Sequence, residues 1–256
     1  AGGKFSGKSY ATSGGLHGVG ASVVNALSSA LTVEIAREKL LYRQEFSRGM
    51  PVTALNEIGT APNRRGTAVT FTPDTEIFGE TAKFRAATLY RMARSKAYLF
   101  AGVEIRWRCD PALLASNDSI PAEANLHFPG GLADALTDAT HDKGLMISSP
   151  FAEMAELDGQ KFEWAITWLD ASEDGFFSSY CNTVPTPSGG THETGFRQAI
   201  VRALRAFGEL VGNKKAADIS ADDALANSAV MLSVFLRDPQ FQGQTKDRLV
   251  SADATR

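Results

Sequence analysis

The stretch Ser13-Gly14-Gly15-Leu16-His17-Gly18-Val19-Gly20 has the composition of a loop that grips an anion. Four glycines in the seven residues from Gly14 to Gly20 let the backbone turn tightly and approach a ligand without Cβ interference. Ala21-Ser22-Val23-Val24-Asn25-Ala26-Leu27 then reads as the opening turns of a helix. A glycine-rich loop that runs into a helix start offers free N–H groups and the positive end of the helix dipole, a match for phosphate. The plainer alternative is a flexible surface loop capping an ordinary helix.

A second anchor lies far along the chain, in Asp238-Pro239-Gln240-Phe241-Gln242-Gly243-Gln244-Thr245-Lys246-Asp247-Arg248-Leu249. Gln244 and Lys246, two apart on a loop, can both face one phosphate, one as neutral donor and the other as a charge. A polar turn before a helix would look similar. A third string, Gly2-x4-Gly7-Lys8-Ser9, matches the P-loop pattern letter for letter. A true P-loop needs a helix directly after it, whereas Ser9-Tyr10-Ala11-Thr12-Ser13 runs into Gly14 and Gly15, so the match is read as a decoy.

The elements around these anchors alternate in a regular way. Residues 31–37 (Leu-Thr-Val-Glu-Ile-Ala-Arg) carry the two-residue period of a half-buried strand, and Leu41 to Phe46 a second, so a hairpin through Glu38-Lys39 is expected. Gly66 to Phe71 is a third strand, closed by Pro73. A helix is expected from about Thr81 to Ala97, with Ala82, Ala86, Leu89, Met92 and Ala93 on one face, and then a fourth strand through Val103, Ile105 and Trp107. The order argues for helices covering one side of a mixed sheet. Residues 109–125 hold two prolines and little periodicity, and a domain boundary is placed near 120. Beyond it, Gly130-Gly131-Leu132 starts a short helix. Phe162, Trp164, Ile166 and Trp168 mark a strand, with Phe176 to Val184 as its antiparallel neighbour. The strongest helix runs from about Thr191 to Val211, with Thr191 as its cap and Phe196, Ile200, Ala203, Leu204, Phe207 and Leu210 at helical spacing. Val230, Leu232, Val234 and Leu236 form one face of a last strand.

Composition sets bounds. At 256 residues the chain holds one large or two modest domains, and 43% hydrophobic with 21% charged residues is ordinary for a globular protein. A net charge of −3 gives no global reason for nucleic-acid binding, although a local basic groove would be hidden in that sum. Cys109 and Cys181 form no metal-type spacing and read as reduced thiols of a cytoplasmic protein. With no run of about 18 apolar residues, no membrane span is expected. The chain lacks an initiator Met, and both ends read as cut rather than natural.

Gly14-Gly15-Leu16-His17-Gly18-Val19-Gly20, followed by Ser22-Val23-Val24-Asn25-Ala26-Leu27-Ser28, resembles the second glycine box of the B subunits of bacterial type IIA topoisomerases, DNA gyrase and topoisomerase IV. The resemblance extends from Gly2-Gly3-Lys4-Phe5 through Tyr180-Cys181-Asn182-Thr183-Val184-Pro185, Gly189-Gly190-Thr191-His192-Glu193 and the Gln244-Thr245-Lys246 loop, in matching order. Asn182 to Pro187 and Phe241 to Gln244 look somewhat more like topoisomerase IV than gyrase, a choice the sequence leaves open. After Asp222-Asp223 this chain has Ala224-Leu225-Ala226-Asn227 where the family often has Arg-Glu-Gly.

The resemblance implies an α+β fold: the second part of a GHKL (Bergerat) ATPase mixed sheet over residues 1–120, including the ATP lid, then a truncated transducer (ribosomal protein S5 domain 2-like) over 121–256. It implies a nucleotide site in which Gly15, Leu16, His17, Gly18, Val19 and Gly20 wrap the phosphates. Lys4 lies near them, Tyr10 contacts the adenine from the lid, and Thr67 sits beneath the base. Arg37 stands at the rim where aminocoumarin inhibitors bind. Gln244 and Lys246 reach the γ-phosphate from the second domain, and His192 reads as structural. ATP and Mg2+ are the implied cofactors. DNA, a second copy of the subunit, and the topoisomerase A subunit in an A2B2 heterotetramer are the implied partners. The family's general-base glutamate, magnesium-binding asparagine and adenine-binding aspartate precede the lid, so residues 1–256 alone are expected to be inactive. Competing readings are a mismatch-repair clamp or chaperone of the same superfamily, and a P-loop module relying on Lys8.

Overall fold

The structure, a computed structural model, describes residues 18–114 and 120–255. These fall into two compact units that divide between Phe84 and Arg85.

In the first unit, helix α1 (Gly20–Ala26) feeds β1 (Ser28–Arg37), which returns as β2 (Leu40–Ser47). The turn uses Glu38 and Lys39, both left-handed at φ 54° and 67°, the backbone geometry whose twist suits a two-residue hairpin. Strands β3 (Met50–Pro51), β4 (Asn56–Thr60) and β5 (Gly66–Pro73) complete a sheet ordered β3-β2-β1-β5, with β4 also on β2. Every described pair in it is antiparallel. A single turn of helix, α2 (Thr75–Phe78), follows. Buried Asp74 caps it by accepting from the Glu76 amide, and Arg48 closes an ion pair on the same carboxylate at 2.6 Å.

The second unit runs α3 (Ala86–Leu99), β6 (Glu104–Arg108), β7 (Glu123–His127), α4 (Leu132–Ala139), β8 (Phe151–Leu157), β9 (Gln160–Trp168), β10 (Phe176–Cys181), β11 (Val184–Pro185), α5 (Thr191–Leu210), α6 (Ala221–Leu225), β12 (Ser228–Phe235), β13 (Phe241–Gln242) and β14 (Arg248–Leu249). Its sheet is ordered β11-β10-β12-β9-β8, and β12 pairs parallel to β10 and antiparallel to β9. All eight residues of β12 are buried because both faces of the sheet are covered. Ala229 and Met231 join Leu99, Leu132 and Leu136 of α3 and α4 in one core. Val230, Leu232 and Val234 join Phe196 of α5, Cys181 and Leu249 in the other. Each fully buried Val or Leu side chain contributes about 1.5–3 kcal/mol, so β12 is the strand the second unit is built on.

The α+β class holds, and the boundaries move where long-range packing overrides local pattern. Helix α3 begins at Ala86 rather than Thr81. Gly79 ends α2 at φ 81°, and Phe84 packs edge-on against Phe71 at 5.8 Å, which holds the intervening segment on the first sheet. Leu89 and Met92 are exposed, and the buried residues of α3 are Ala86 at its start and Ala97, Tyr98 and Leu99 in its last turn. The segment near residue 120 is not where the compact units part, since β6 and β7 pair across it as a hairpin. Strand β6 accordingly does not join the first sheet. Strands β9 and β10 run in opposite directions as expected but are not neighbours, because apolar β12 inserts between them. Gly190, not Thr191, is the N-cap of α5, and Phe207 and Leu210 at its far end are exposed at 62% and 82%.

Candidate functional site

Helix α1 starts with Val19 as N-cap, and among the described residues no side chain caps it. Gly18 is left-handed at φ 62°, and nothing lies within 4 Å of where a Gly20 Cβ would be. Among the described residues, the end of the glycine box therefore presents uncapped N–H groups, the electrostatics that suit an oxyanion. Lys4, Tyr10, Gly15, Leu16 and His17, like Lys8 of the P-loop lookalike, lie outside the described residues.

Register brings two other expected residues to one face of the first sheet. Thr67 on β5 stands opposite Ile35 on β1, and Arg37 lies two residues beyond Ile35 on the same face. Val33 opposite Val69 extends that face, giving an apolar floor with a hydroxyl and a guanidinium at one end. Thr67 is exposed, and Arg37 forms an exposed ion pair with Glu38 at 3.2 Å.

In the second unit, β13 and β14 pair through Phe241 with Leu249 and Gln242 with Arg248, so residues 243–247 form a hairpin loop. Gly243 (φ 78°) and Lys246 (φ 62°) supply its left-handed corners. Gln244 at the tip is exposed and Lys246 is half-buried, its Nζ 5.7 Å from the Phe241 ring centre. The Lys246 charge also acts on the buried Cys181 thiol at the end of β10, whose pKa desolvation nonetheless pushes up to about 12. Such a thiol stays protonated and inert. The loop is tied to the segment before α5: Ser188 N–H donates to Asp247 O at 2.9 Å and Leu249 N–H to Gly189 O at 3.1 Å. Gln244 and Lys246 thus sit on one braced loop.

Comparison with known proteins shows which family the chain resembles. The sequence profile of the DNA gyrase B family matches residues 131–256. Over its whole length the chain is 54% identical to the B subunit of DNA topoisomerase 4 from Bartonella bacilliformis and 52% identical to that from Caulobacter vibrioides. It belongs to the type IIA topoisomerase B-subunit family. The chain spans 37% of the length of each of those two relatives. The 43K ATPase domain of Thermus thermophilus gyrase B, solved with an aminocoumarin, superposes with a TM-score of 0.78 at 32% identity, covering 93% of this chain and 62% of that one. The topoisomerase IV ATP-binding domain of Francisella tularensis, solved with a small-molecule inhibitor, gives a TM-score of 0.70 at 30% identity, covering 93% and 62%.

Several residues around the topoisomerase-like loop escape sequence reasoning. Asn182, 1% exposed, donates from Nδ2 to Leu236 O at 2.9 Å and accepts at Oδ1 from Leu236 N–H at 2.8 Å. It thereby stitches the end of β10 to the chain leaving β12. Asn182 and Thr183 form the left-handed turn between β10 and β11, and Lys96 of α3 clamps that turn by donating to Thr183 O and Oγ1 at 2.6 and 2.8 Å. Burial pushes the Lys96 pKa down. The motif string at 180–185 contains Asn182 and Thr183, but only the structure shows that a turn is what the string encodes.

Among the described residues no group of three or more His, Cys, Asp or Glu is placed to hold a metal ion, and no helix is long and apolar enough to cross a membrane.

Proposed function

We propose that the chain supplies part of the ATPase module of an ATP-dependent type II DNA topoisomerase, whose full-length subunit closes a dimeric gate around DNA on binding ATP and resets on hydrolysis. The observation that carries this reading is the braced hairpin loop 243–247, which places an amide donor, Gln244, and a cation, Lys246, two residues apart on a fixed support. The glycine box delivers backbone N–H groups for the β- and γ-phosphates. Thr67 and Arg37 flank the face for the base. The Lys246 charge meets the γ-phosphate, so the second unit reports whether ATP or ADP is bound. A contact that exists in one nucleotide state only is what biases a conformational equilibrium.

Mg2+ bound with ATP would neutralise charge on its phosphates, and no cluster of acidic or metal-ligating side chains among the described residues is placed to hold it. The partners are DNA, a second copy of the subunit, and a topoisomerase A subunit in an A2B2 assembly, with decatenation and relaxation as the activities in view of the topoisomerase IV relatives.

A charge-assisted bond of this kind contributes about 1.5–3 kcal/mol, a ten- to hundredfold effect. Lys246→Ala in the full-length subunit should weaken dimerisation driven by a non-hydrolysable ATP analogue and slow hydrolysis by that factor, with ADP affinity unchanged. Crosslinking with the analogue and ADP titration measure both. A silent Lys246→Ala alongside a Lys8→Ala that abolishes binding would move the phosphate site to the P-loop lookalike.

A further inference from the structure

Behind the segment that braces the Gln244–Lys246 loop runs a chain of four side chains, three of them buried and Glu193 half-buried, that the nucleotide contacts do not use. Ser179 on β10 lies with its Oγ 2.6 Å from Glu193 Oε1, in the first turn of α5, and 2.6 Å from Thr186 Oγ1. Thr186 Oγ1 is in turn 3.0 Å from His192 Nε2. Ser179, Thr186 and His192 are only 5%, 2% and 2% exposed.

Counting protons sets the direction of every link. An ionised carboxylate only accepts, and Glu193 Oε1 at 2.6 Å lies closer than the other acceptor in reach, Thr186 O at 3.2 Å, so the Ser179 hydroxyl proton goes to Glu193. With its one proton committed, Ser179 Oγ must accept from Thr186. Thr186 has then used its own proton and accepts from the imidazole, so His192 carries its hydrogen on Nε2. Its Nδ1 is buried, and no group among the described residues bonds it. Protonating Nδ1 would bury an N–H donor without an acceptor, so the ring stays neutral.

What this chain holds in place is backbone. Thr186 N–H donates to Ser179 O at 2.9 Å, and Thr186 O accepts from Gly189 N–H at 2.8 Å, which closes a tight turn over 186–189. That turn is the strip on which the nucleotide-sensing loop rests. Ser188 N–H reaches Asp247 O, Leu249 N–H reaches Gly189 O, and Arg248 Nη1 donates to Ser188 O at 3.1 Å. Asp247 is the residue directly after Lys246.

We propose that the directed relay His192→Thr186→Ser179→Glu193 is a positioning device for Lys246: it locks the 186–189 turn, and the turn sets where the 243–249 loop holds its lysine. The proposal rests on the reading of Lys246 as the phosphate contact. None of the four residues touches nucleotide. They act through the loop, so losing a link lowers turnover while nucleotide affinity stays.

Thr186→Val in the full-length subunit keeps the side-chain shape and cuts the relay at its centre, and Thr186→Ser restores the hydroxyl. Hydrogen exchange read over peptides spanning 186–190 and 243–250 should rise about tenfold in Thr186→Val, the loss expected for one buried hydrogen bond. The kcat for ATP should drop by a similar factor with KM within about twofold, and Thr186→Ser should restore both. Glu193→Met, which keeps the length and removes the accepting oxygen, should give the same pattern and serves as the second variant if Thr186→Val folds poorly. Unchanged exchange at 243–250, or raised exchange with unchanged kcat while Lys246→Ala slows the enzyme, would overturn the positioning role. Loosened exchange with both Thr186→Val and Lys246→Ala kinetically silent would leave the brace intact and instead remove the phosphate role of Lys246.

Discussion

Gly190 lies directly against the backbone of Leu249. The two form a parallel bridge, and a Cβ at Gly190 would come within 2.3 Å of the Leu249 carbonyl oxygen and 2.7 Å of its nitrogen. Gly190 also holds φ at 149°, a value that L side chains rarely adopt. The close approach is what lets the start of α5 and the Lys246 hairpin share one strip of backbone. Gly190→Ala should lower stability by at least the roughly 1–3 kcal/mol of local backbone strain, and push β14 away from the segment before α5. A lowered melting temperature together with lost analogue-driven dimerisation is the expected result. A variant that melts and dimerises like the parent would show that the 189–190 segment yields freely.

Asn182 makes a second prediction. Its side chain satisfies both backbone groups of Leu236, and its φ of 48° is one that asparagine tolerates better than most residues. Asn182→Ala strands a buried N–H and a buried C=O together, each costing about 1–3 kcal/mol when left unpaired. Asn182→Asp should do no better, because it sets a carboxylate oxygen against the Leu236 carbonyl. Denaturant unfolding measures both. An Asp variant as stable as the parent would mean that water replaces the amide.

These cases mark how far the amino-acid order could be read. Strands β1, β2, β5 and β9 were legible because alternation is a local signal, and Glu38-Lys39 falls between two such runs. The insertion of β12 between β9 and β10 was not, since Val230 and Val234 say that the strand is buried but not beside which partner. The helical pattern starts five residues before the helix at 86–99 does, because nothing local marks Phe84 as held on Phe71. At the site, the Gln244-Thr245-Lys246 string was recognisable as a motif. Ser179, Thr186 and Glu193 were not recognisable as a group, because they meet only when β10, the turn after β11 and the first turn of α5 converge.

His192 gives a pH prediction. Burial lowers its pKa from 6.5 to about 4. Between those values the unfolded chain takes a proton that the folded chain refuses, so stability falls as pH drops through that window. The full loss is about 3 kcal/mol once pH lies below 4. His192→Gln keeps a donor near the Nε2 position and removes the titration. Its melting temperature should therefore fall less between pH 7 and 4.5 than that of the parent chain. Parallel curves for the two proteins would show that His192 does not contribute to the acid loss.

The last prediction concerns DNA and the outer face of α5. Arg197, Arg202 and Arg205 line an open groove of about 510 Å³ with Ser220 and Ala221, and Arg202 and Arg205 continue into a second of about 790 Å³ with Lys214 and one carboxylate, Glu209. The face is not free of order. Arg205 donates to Ile219 O at 3.1 and 2.7 Å, and Arg197 stacks over Phe177 at 5.2 Å, which holds two of the guanidinium groups in a fixed row. Three guanidiniums along one helix face of a chain with a net charge of −3 are a local cluster of positive charge. DNA phosphates are the anions such a groove would meet in a topoisomerase. Each neutralised phosphate contributes a slope of about −0.9 in log K against log salt, independent of sequence. Arg202→Ala in the full-length subunit should therefore weaken DNA binding uniformly across sequences and reduce the salt slope by about one. Arg106→Ala removes an exposed arginine already paired with Glu104 at 2.7 Å in the same unit, and should leave the slope unchanged. Salt titrations of the two variants decide the matter. Equal slopes for Arg202→Ala and Arg106→Ala would exclude the α5 groove as a DNA track.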